Sequence, residues 1–472
     1  MSLWTNITAE EATHGETNAS WEAKHVEIDS RKIKEGDLFV ALKGENFDGH
    51  KFVSEALARG AVAAMVSDTS GLTDDASVLV VEDTMKALED LARYARNRTQ
   101  AKIIGVTGSV GKTSTKEMLR LALSVHGKTY ASHGNFNNHI GAPLNLANLP
   151  KDADFGVFEM GMNHAGEISH LTTMVKPHVA IITCVDAVHL EFFDSTESIA
   201  DAKAEIFEGV QEGGCAILHA DSKHLSRLKM AAARNQISDV FTFGEAMDAD
   251  VRLISYQSTK TGCNADATIA GDLVNFDLLA IGRHWAQVAL ITLATIHALG
   301  LDYKKPATLL AKFDEPDGRG KLAHISLADG GEVMVIDDSY NASPASMRSA
   351  FAKTTEAWQA HGAKGKKIAA LGDMLELGHE APTLHKALAG ELENYEFHKV
   401  YTAGSLMKHL HKVLPEPMRG AHVDDVDQLA ALLLSDLADG DVLLIKGSHG
   451  SRIYQTARAL LAVNTEENKH AV

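Results

Sequence analysis

A glycine-rich string, KIIGVTGSVGKTSTKE, carries the residue types that can bind a phosphate chain. A short apolar run typical of a buried strand leads into a loop that contains Gly108 and Gly111. Lys112 and Thr113 follow and open a segment whose apolar side chains have helical spacing. Glycines let backbone N–H groups turn inward, and the start of a helix adds about half a positive charge. Lys112 can then reach the β- and γ-phosphates of a nucleotide, and the Thr113 hydroxyl can ligate magnesium.

The loop is a variant of the usual phosphate-loop pattern. The position that normally holds its first glycine is Val106, and Gly105 stands one residue earlier. An ordinary turn between a strand and a helix is the competing interpretation of the same string. We predict a nucleotide site in which these loop residues surround the phosphates: Gly108, Ser109, Gly111, Lys112, Thr113 and Ser114.

Two side chains further along the chain could complete a magnesium site. Residues 154–159 read as a strand that ends in the carboxylate of Glu159. Magnesium prefers few protein oxygens together with phosphate and water, so a single added carboxylate is useful. A glutamate at the surface end of a strand explains the pattern equally well. His189 lies in the loop after the next predicted strand and could contact metal or phosphate, although a lone loop histidine usually does neither.

Lys203 stands out because it falls on an apolar stripe. Ile199, Lys203, Ile206 and Val210 share one face of a predicted helix. An unpaired buried ammonium is expensive, so this lysine must extend to solvent, find a partner or lose its charge. A neutral lysine is a nucleophile that can react with carbon dioxide to give an anionic carbamate, and such a group could bind a second magnesium. The pattern alone favours extension to solvent and leaves the carbamate open.

The composition excludes several classes of function. The 472 residues are 45% apolar and 23% charged, which is typical of a folded chain with several cores. A formal net charge of -18 argues against a nucleic-acid partner, because no basic block could neutralise a phosphate backbone. Cys184, Cys215 and Cys263 are widely spaced and odd in number, which fits neither a disulfide framework nor a zinc pair.

The same sequence predicts a cytoplasmic protein without membrane insertion. The N-terminus is polar and acidic, unlike a signal peptide. The longest apolar helix, 286–299, is too short to span a bilayer.

Strands and helices alternate along the chain, which predicts an α/β fold with mostly parallel sheets. We predict three domains, 1–99, 100–316 and 317–472, of which the second carries the phosphate loop. Polar strings such as DDSYNASP, LGDMLELG and KGSHG follow strands of the third domain, where ligands bind in open parallel sheets. The predicted strands include 37–42, 61–66, 154–159, 179–185, 333–338, 367–372, 399–403 and 442–445.

These strings resemble the Mur ligase family. TGSVGKTSTKE, NFNNHIGAP, FEMGMNHAGEI, HLEFF, AKAEIF, DDSYNASPASM, LGDMLELG and KGS occur in the family's order, and DSRKIKEGDLFVALKGENFDGH extends the likeness to nearly the whole chain. DSYNASPASM together with LGDMLELG is specific to the MurF type. The DNPR-type motif of the ligases that add diaminopimelate or lysine is absent, and folylpolyglutamate synthases lack a matching N-terminal domain.

The resemblance implies a three-domain architecture, with a central P-loop domain and a Rossmann-like C-terminal domain. It implies an ATP-dependent, ADP-forming amide ligase that joins D-alanyl-D-alanine to UDP-N-acetylmuramoyl-tripeptide through an acyl phosphate. This is the last cytoplasmic step in the synthesis of the peptidoglycan precursor, and a monomer is expected. The first domain would hold the UDP end of the substrate through Ser30, Arg31, Lys43, Gly44, Asp48 and His50, which on pattern alone are more typical of solvated loops than of a ligand site.

The resemblance also assigns roles around ATP. Lys112, Glu159, His189 and Lys203 would be catalytic, and Thr113, Glu159, His189 and a carbamylated Lys203 would face magnesium. Asn135, Asn138 and His284 match nucleotide- or metal-side positions, and Arg319 matches an arginine on the phosphate or ribose side. Asp338 and Asn341 would be the third domain's contribution to the ATP site.

The chain departs from the family pattern beside the adenine. The family's GxHNxxN string is GRHWAQV here, so Trp285 and Val288 occupy the asparagine positions, and Trp285 could stack on the base instead. Phe192 and Asp194 replace small residues after the HLE string, and KGSRS appears as KGSHG. The rival function is a phosphate-loop switch or motor ATPase, which would hydrolyse ATP without an amino-acid substrate. An NKxD-type guanine signature is absent from the sequence.

Overall fold

The computed structural model describes residues 2–44, 47–134, 136–187 and 191–470. In this part of the chain, sheets of five, nine and six strands follow one another, and a two-stranded ribbon lies at the start. Helices pack on the faces of each sheet, and most neighbouring strands of the larger sheets are parallel. The predicted α/β class with mostly parallel sheets is confirmed.

The N-terminal sheet has one antiparallel edge and otherwise parallel strands. Its elements are β1 (Trp4–Thr5), α1 (Asn6–Thr13), β2 (Glu16–Thr17), β3 (Glu22–Ala23), β4 (His25–Glu27), β5 (Asp37–Val40), α2 (Val53–Ala58), β6 (Ala63–Val66), β7 (Val78–Val80) and α3 (Thr84–Asn97). The order is β2-β7-β6-β5-β4, with β2 antiparallel to β7. Asp83 starts α3 by accepting hydrogen bonds from the N–H groups of Met85 and Lys86. Leu88 and Leu91 of α3 pack into the core of this sheet.

The middle part of the chain contains the phosphate loop. Its elements are β8 (Lys102–Thr107), α4 (Lys112–Leu123), β9 (Thr129–Ala131), α5 (Gly141–Ala147), β10 (Phe155–Glu159), α6 (Glu167–Val175), β11 (Val179–Ile182), α7 (Thr196–Ala204), β12 (Cys215–His219), α8 (Leu225–Arg234), β13 (Asp239–Gly244), β14 (Val251–Ser258), β15 (Cys263–Ile269), β16 (Asp272–Leu278), α9 (Arg283–Ala298) and α10 (Lys304–Leu309). The order is β16-β15-β14-β13-β12-β11-β8-β10-β9. The loop after β8 therefore lies where strand order diverges to either side, which is the usual ligand position in such sheets.

The antiparallel extension β14–β16 was not predicted from the sequence. Residues of β15 alternate between buried and exposed, with Cys263, Ala265, Ala267 and Ile269 inside. The period-two signal is present but weak, because small alanines carry little hydrophobic contrast against the polar residues between them. The predicted helix around Lys203 is also shorter than expected, since α7 ends at Ala204 and continues as a 3-10 helix, Glu205–Gly209.

The C-terminal sheet is parallel except for one edge strand. Its elements are β17 (Lys321–Ser326), β18 (Glu332–Asp338), α11 (Pro344–Ala360), β19 (Lys367–Gly372), α12 (Ala381–Asn394), β20 (Lys399–Ala403), α13 (Met407–Val413), β21 (Arg419–Val423), α14 (Leu429–Asp436), β22 (Val442–Lys446) and α15 (Tyr454–His470). The order is β17-β18-β22-β19-β20-β21, and the register of β18 and β22 pairs Asp338 with Lys446 at their carboxyl ends. Ser343 caps α11, with Pro344 at its first position.

Buried polar contacts join the first two sheets. The Asn148 side chain accepts a hydrogen bond from the N–H of Val26 (2.8 Å) and donates one to its carbonyl (2.9 Å). Arg96 of α3 donates through Nε to the carbonyl of Val175 at the end of α6 (2.8 Å). These contacts fix the N-terminal sheet beside the edge of the phosphate-loop unit. Among the helices of the described ranges, none is both long and apolar enough to cross a membrane.

Candidate active site

The phosphate loop is closed tightly against the neighbouring strand. Gly108 has φ +151°, and a Cβ at this position would lie 1.8 Å from Oγ1 of Thr183, so only glycine fits. Ser109 is held by two bonds to Asp186, donating to its carbonyl (3.0 Å) and accepting from its N–H (2.9 Å). Lys112 begins α4 and donates from Nζ to the carbonyl of Gly108 (2.8 Å). The arrangement places an ammonium and the start of a helix at one anion site.

The surroundings of Lys112 disfavour its positive charge. Burial lowers its pKa, the carboxylate of Glu159 raises it, and the guanidinium of Arg319 lowers it. A bound polyphosphate would stabilise the charged form of Lys112, because it supplies negative charge between the Lys112 ammonium and the Arg319 guanidinium.

Glu159 stands at the end of β10 with both carboxylate oxygens occupied. Thr113 donates from Oγ1 to one oxygen (2.8 Å), and Asn137 donates from Nδ2 to the other (2.7 Å). The side chain is 3% exposed, so the alternative of a surface glutamate is wrong. Its backbone N–H donates to Oγ of Ser132 (3.2 Å). Thr113 of α4, together with Ser132 and Asn137 from the connection between β9 and α5, thus holds the Glu159 carboxylate beside the Thr113 hydroxyl.

A buried lysine supports this loop from behind. Lys116 of α4 is fully buried and donates from Nζ to the carbonyls of Ser132 (2.6 Å) and Gly134 (3.0 Å). The segment that leads to Asn137 is therefore bonded to the phosphate-loop helix. Sequence reasoning missed both Lys116 and Asn137. It named Asn138 instead, whose side chain accepts from the N–H groups of Ile140 (3.2 Å) and Gly141 (2.9 Å).

Lys203 does not extend to solvent. Its side chain is 2% exposed, and it forms no hydrogen bond or ion pair with any residue that the structure describes. Burial and the charge of nearby Lys112 together lower its pKa to about 7, and the thiol of Cys184 opposes the shift. Of the possibilities raised by the sequence, loss of the charge is the one that this environment favours.

The C-terminal sheet supplies the opposite side of the site. Lys446 is 1% exposed and donates from Nζ to Asp338 (2.7 Å) and to the carbonyl of Asn341 (2.8 Å). The guanidinium of Arg319 lies 4.4 Å from the ring centroid of Tyr340. Burial and the charges of Lys353 and Lys446 lower the pKa of His284 to about 3, so this imidazole is neutral. Tyr340 and Lys446 were not predicted, although both lie in the strings DDSYNASP and KGSHG.

A cavity of about 710 Å³ brings the two sides together. Its apolar wall includes Phe243, Trp285, Val288 and Ile291, next to the phosphate loop. Lys203, Gly108 and Asn138 are outside its lining, and the predictions for Asn135 and His189 fall outside the described residues. The predicted residues that line it are Ser109, Gly111, Lys112, Thr113, Ser114, Glu159, His284, Arg319, Asp338 and Asn341.

The predicted UDP-side residues form a separate cluster on the N-terminal sheet. Arg31 is exposed and pairs with Asp29 (Nε to Oδ1, 2.9 Å), while Ser30 is buried. His50 contacts Asp48 (Nδ1 to Oδ1, 2.7 Å) and accepts from the N–H of Ser67 (2.9 Å). Lys43 and Gly44, which follow β5, are exposed.

One contact connects this cluster to the cavity. The ammonium of Lys32, one residue after Arg31, lies 5.5 Å from the ring centroid of Phe136. Phe136 precedes Asn137, which is bonded to Glu159. The N-terminal cluster is therefore in contact with the segment that holds the Glu159 carboxylate.

The geometry offers an anion site, a buried carboxylate with a hydroxyl, and a roomy cavity between two sheets. Such a site can bind a nucleoside triphosphate and still leave space for acceptors of its terminal phosphoryl group. A phosphate-loop switch that binds only a nucleotide would need neither the C-terminal sheet nor the polar N-terminal cluster.

Comparison with known proteins gives matches along nearly the whole chain. Three family descriptions match in order: "Mur ligase family, catalytic domain" over 22–98, "Mur ligase middle domain" over 106–296 and "Mur ligase, glutamate ligase domain" over 323–449. The UDP-N-acetylmuramoyl-tripeptide--D-alanyl-D-alanine ligase of Rickettsia prowazekii is 34% identical over 453 residues, covering 96% of this chain and 98% of that protein. The enzyme of the same name from Bacillus subtilis is 33% identical, with coverage of 92% and 93%.

Solved structures agree with these matches. MurF from Acinetobacter baumannii superposes with a TM-score of 0.83 at 30% identity, covering 97% of this chain and 98% of that one. The MurF ligase of Thermotoga maritima, solved in complex with ADP, has a TM-score of 0.77 at 27% identity, with coverage of 94% and 98%. With a phosphate loop, an opposing C-terminal sheet and relatives over the full length, the chain belongs to the Mur ligase family.

Proposed function

We propose that this chain joins D-alanyl-D-alanine to UDP-N-acetylmuramoyl-tripeptide and converts ATP to ADP and phosphate in the same reaction. The observation that carries the proposal is the cavity in which the phosphate loop faces the carboxyl ends of β18 and β22. A ligase must bring ATP, an acid and an amine together, and a cavity between two sheets can expose all three to one another. Full-length relatives that carry the name of this activity support the assignment.

The reaction requires activation of a carboxylate. Its negative charge repels nucleophiles, and oxide cannot leave. Transfer of the γ-phosphoryl group to the tripeptide's terminal carboxylate breaks the bond from the γ-phosphorus to the bridging oxygen, releases ADP and gives an acyl phosphate. The neutral amine of the dipeptide then attacks the carbonyl carbon, the C–O bond to phosphate breaks, and phosphate leaves with the electron pair. The amine gives up one proton as the amide forms.

Lys112 and Arg319 have the same electrostatic task in this scheme. Both line the cavity, and each lowers the cost of bringing an anionic carboxylate toward an anionic phosphate chain. Lys112 is bonded to the loop carbonyl of Gly108, which aims its ammonium across the mouth of the loop. Arg319 is supported by the ring of Tyr340. Positioning and charge neutralisation, and no strong base, are what the first step demands.

The residues present fit magnesium. Thr113 and Glu159 converge on one point at the end of the phosphate loop. Within the described residues, no group of three or more histidine, cysteine, aspartate or glutamate side chains could hold a metal. That donor set suits magnesium, which takes most of its ligands from phosphate and water. When bound, the ion would neutralise charge on the β- and γ-phosphates.

Lys203 fits the proposed carbamate. A buried amine with a pKa of about 7 is neutral to a useful extent near neutral pH, and it has no hydrogen-bonding partner among the described residues that a new carboxylate would displace. Carbamylation would turn a costly buried cation into an anion close to Lys112. His189 would complete the metal-side set, as the family resemblance implies.

The base of ATP is proposed to lie against the apolar wall of the cavity. Val288 and Trp285 replace the family's asparagines, so this wall has fewer groups that can hydrogen-bond to adenine. Trp285 is 1% exposed and packs 5.1 Å from the ring of Phe313, which limits it to a fixed edge or face contact with the base. His284 is neutral and can accept or donate on the ribose side.

The two remaining substrates are proposed to approach from opposite ends. The UDP end would bind at Ser30, Arg31, Asp48 and His50, and the peptide would extend past Phe136 to Glu159. A second cavity of about 600 Å³ shares the segment 375–377 with the first. Glu191 and His379 lie on its lining and could attract the ammonium and the carboxylate of the dipeptide. We propose that the enzyme acts as a monomer in the cytoplasm, as the family resemblance implies.

The proposal is tested by measuring phosphate release by purified protein with ATP, magnesium and each combination of the two precursors. We expect rapid release only when both the UDP-muramoyl tripeptide and D-alanyl-D-alanine are present, together with a product heavier by the dipeptide less water. Equal phosphate release without the precursors would identify the rival ATPase and reject the ligase. A single amino acid such as D-alanine or lysine replacing the dipeptide at equal rate would reject the substrate assignment.

A further inference from the structure

A buried ion pair connects the middle and C-terminal sheets beside the catalytic groups described so far, and its lysine, Lys353, also lines the cavity of about 710 Å³. Lys353 of α11 and Glu315, which follows α10, are 2% and 4% exposed. The Nζ atom of Lys353 is bonded to the Glu315 carboxylate and donates to the carbonyl of Gly320 (2.6 Å). One ammonium thus holds both ends of the connection between the two sheets, 315–320.

The connection is tightly folded between these two ends. Arg319 donates its N–H to the carbonyl of Pro316 (3.1 Å), and Gly318 accepts from the N–H of Tyr340 (3.0 Å). Gly320 has φ +96°, and a Cβ there would lie 2.9 Å from Nζ of Lys353. The positive φ therefore favours glycine here, and a larger side chain would have to displace the ammonium.

We propose that Lys353 is a positioning residue that fixes this connection and thereby places Arg319 toward the triphosphate. The inference rests on the proposed function, because the role of Arg319 there is to offset the negative charge of bound ATP. Arg319 is carried inside the segment that Lys353 holds at both ends, and its guanidinium faces the cavity beside Lys112. A small change in the turn would move a long side chain away from the phosphates.

Stability alone does not account for a charged pair at this place. Removing an ammonium and a carboxylate from water costs free energy that their attraction seldom exceeds, and two apolar side chains would pack at least as well. What an apolar pair cannot supply is the directed bond to the carbonyl of Gly320. Lys353 also lies 6.0 Å from the ring centroid of Trp285, so the same ammonium contacts the helix at the base side of the cavity.

The test uses the full-length enzyme and the variants Lys353→Met and Lys353→Met/Glu315→Leu. The double variant removes both charges, so its Tm is expected to recover most of what Lys353→Met loses. Its KM for ATP is nevertheless expected to stay raised by roughly tenfold, with the KM values of both precursors changed less than about twofold. Recovery of the ATP KM together with the Tm would overturn the proposal, because the pair would then be only structural.

A second measurement asks whether Lys353 acts through Arg319. In an Arg319→Ala background, Lys353→Met/Glu315→Leu should weaken ATP use by less than about twofold, since the positioned group is already gone. An undiminished tenfold effect would overturn the proposal. Lys367→Met is the matched control: Lys367 is 1% exposed, as buried as Lys353, and donates to the carbonyl of Tyr395, but it lies within the C-terminal sheet. Its loss should lower the Tm without a selective change in the KM for ATP.

Binding separates failure of this inference from failure of the proposed function. If the parent enzyme shows no ligation, the proposed function fails, yet the affinity for a non-hydrolysable ATP analogue, measured by calorimetry, still tests the role of Lys353. Weaker binding of the analogue by the double variant, absent in the Arg319→Ala background, would support positioning. Equal affinity for the analogue in the parent and the double variant would reject it.

Discussion

Lys112 is the side chain on which nucleotide use depends most directly. Its ammonium is bonded to the loop carbonyl of Gly108 and lies near Glu159 and Arg319. We predict that Lys112→Ala reduces kcat/KM for ligation by roughly a thousandfold or more, because the developing charge on the transferred phosphoryl group loses its cation. The Tm should not fall, since burial already opposes the charge of this lysine. Steady-state kinetics and thermal unfolding of the same preparation check both halves, and normal turnover would contradict the assignment.

Lys203 carries the second prediction at this scale. If its carbamate is required, Lys203→Ala should lose nearly all activity, and millimolar formate or acetate should restore part of it by occupying the same space. Carbamylation can be measured independently as incorporation of labelled carbon dioxide into the parent enzyme. Lys116→Ala is the matched control, because Lys116 is equally buried but donates to two carbonyls that a small acid cannot satisfy. A fully active Lys203→Ala enzyme, or equal rescue of both variants, would remove the carbamate from the mechanism.

Single residues show where the sequence is informative and where it is not. The apolar stripe that contains Lys203 is predictable because a helix has a fixed period, but the pattern alone favours extension of this side chain to solvent, whereas the structure buries it. The choice between Asn137 and Asn138 could not be predicted, because adjacent residues of an irregular loop point in directions that no periodicity encodes. Lys116 was missed for a different reason. It lies in the polar first half of α4, where the sequence pattern is the same for a lysine that donates to distant carbonyls and for one that is solvated.

At the scale of elements, His178 couples two strands that carry the site. The Nδ1 atom of the His178 ring accepts a hydrogen bond from the backbone N–H of Ile103 in β8 (2.9 Å). The backbone N–H of His178 donates to the carbonyl of Ile103 (2.7 Å). Burial, with help from Arg96 and Lys102, lowers the pKa of His178 from 6.5 to about 4. Between pH 6.5 and about 4, the His178 imidazole is therefore mostly protonated in the unfolded chain and mostly neutral in the folded protein.

The sign of the pH dependence follows from this difference. Above pH 6.5 neither state binds the proton and the contribution is complete, and it is lost progressively as the pH falls from 6.5 to about 4. We predict that His178→Asn, which keeps an acceptor for Ile103 but cannot titrate, has a Tm that falls less than that of the parent over this range. The exposed His14→Asn variant is the control and should follow the parent. A Tm that falls equally in the parent and His178→Asn would contradict this account of the strand contact.

Most elements that form the site were predictable because hydrophobic periodicity is strong in buried parallel strands. Strands 367–372 and 399–403 agree with β19 and β20 at both ends, and α4 begins at Lys112 as predicted. The antiparallel strands β14–β16 were missed because alternating alanines give little contrast. They widen the middle sheet at the end away from the phosphate loop, and Tyr256 of β14 bonds to Glu356 of α11, so the missed strands also help to hold the C-terminal sheet in place.

For the whole molecule, the resemblance to Mur ligases is confirmed by relatives and solved structures that cover nearly all of the chain. The three sheets fall within the three predicted domains, while the boundaries at 99/100 and 316/317 stay predictions. Neither pattern nor composition could place the C-terminal sheet opposite the phosphate loop. That placement depends on long-range contacts such as the bond from Tyr256 to Glu356 (2.6 Å) and the pair of Lys353 with Glu315.

The central claim is that the terminal phosphoryl group of ATP goes to the peptide's carboxylate, not to water. The most direct measurement uses a UDP-muramoyl tripeptide whose terminal carboxylate is labelled with ¹⁸O, together with ATP, magnesium and D-alanyl-D-alanine. Mass spectrometry of the released phosphate should then find a single ¹⁸O atom derived from the carboxylate in each phosphate formed with product. Unlabelled phosphate accompanying amide formation would contradict the account.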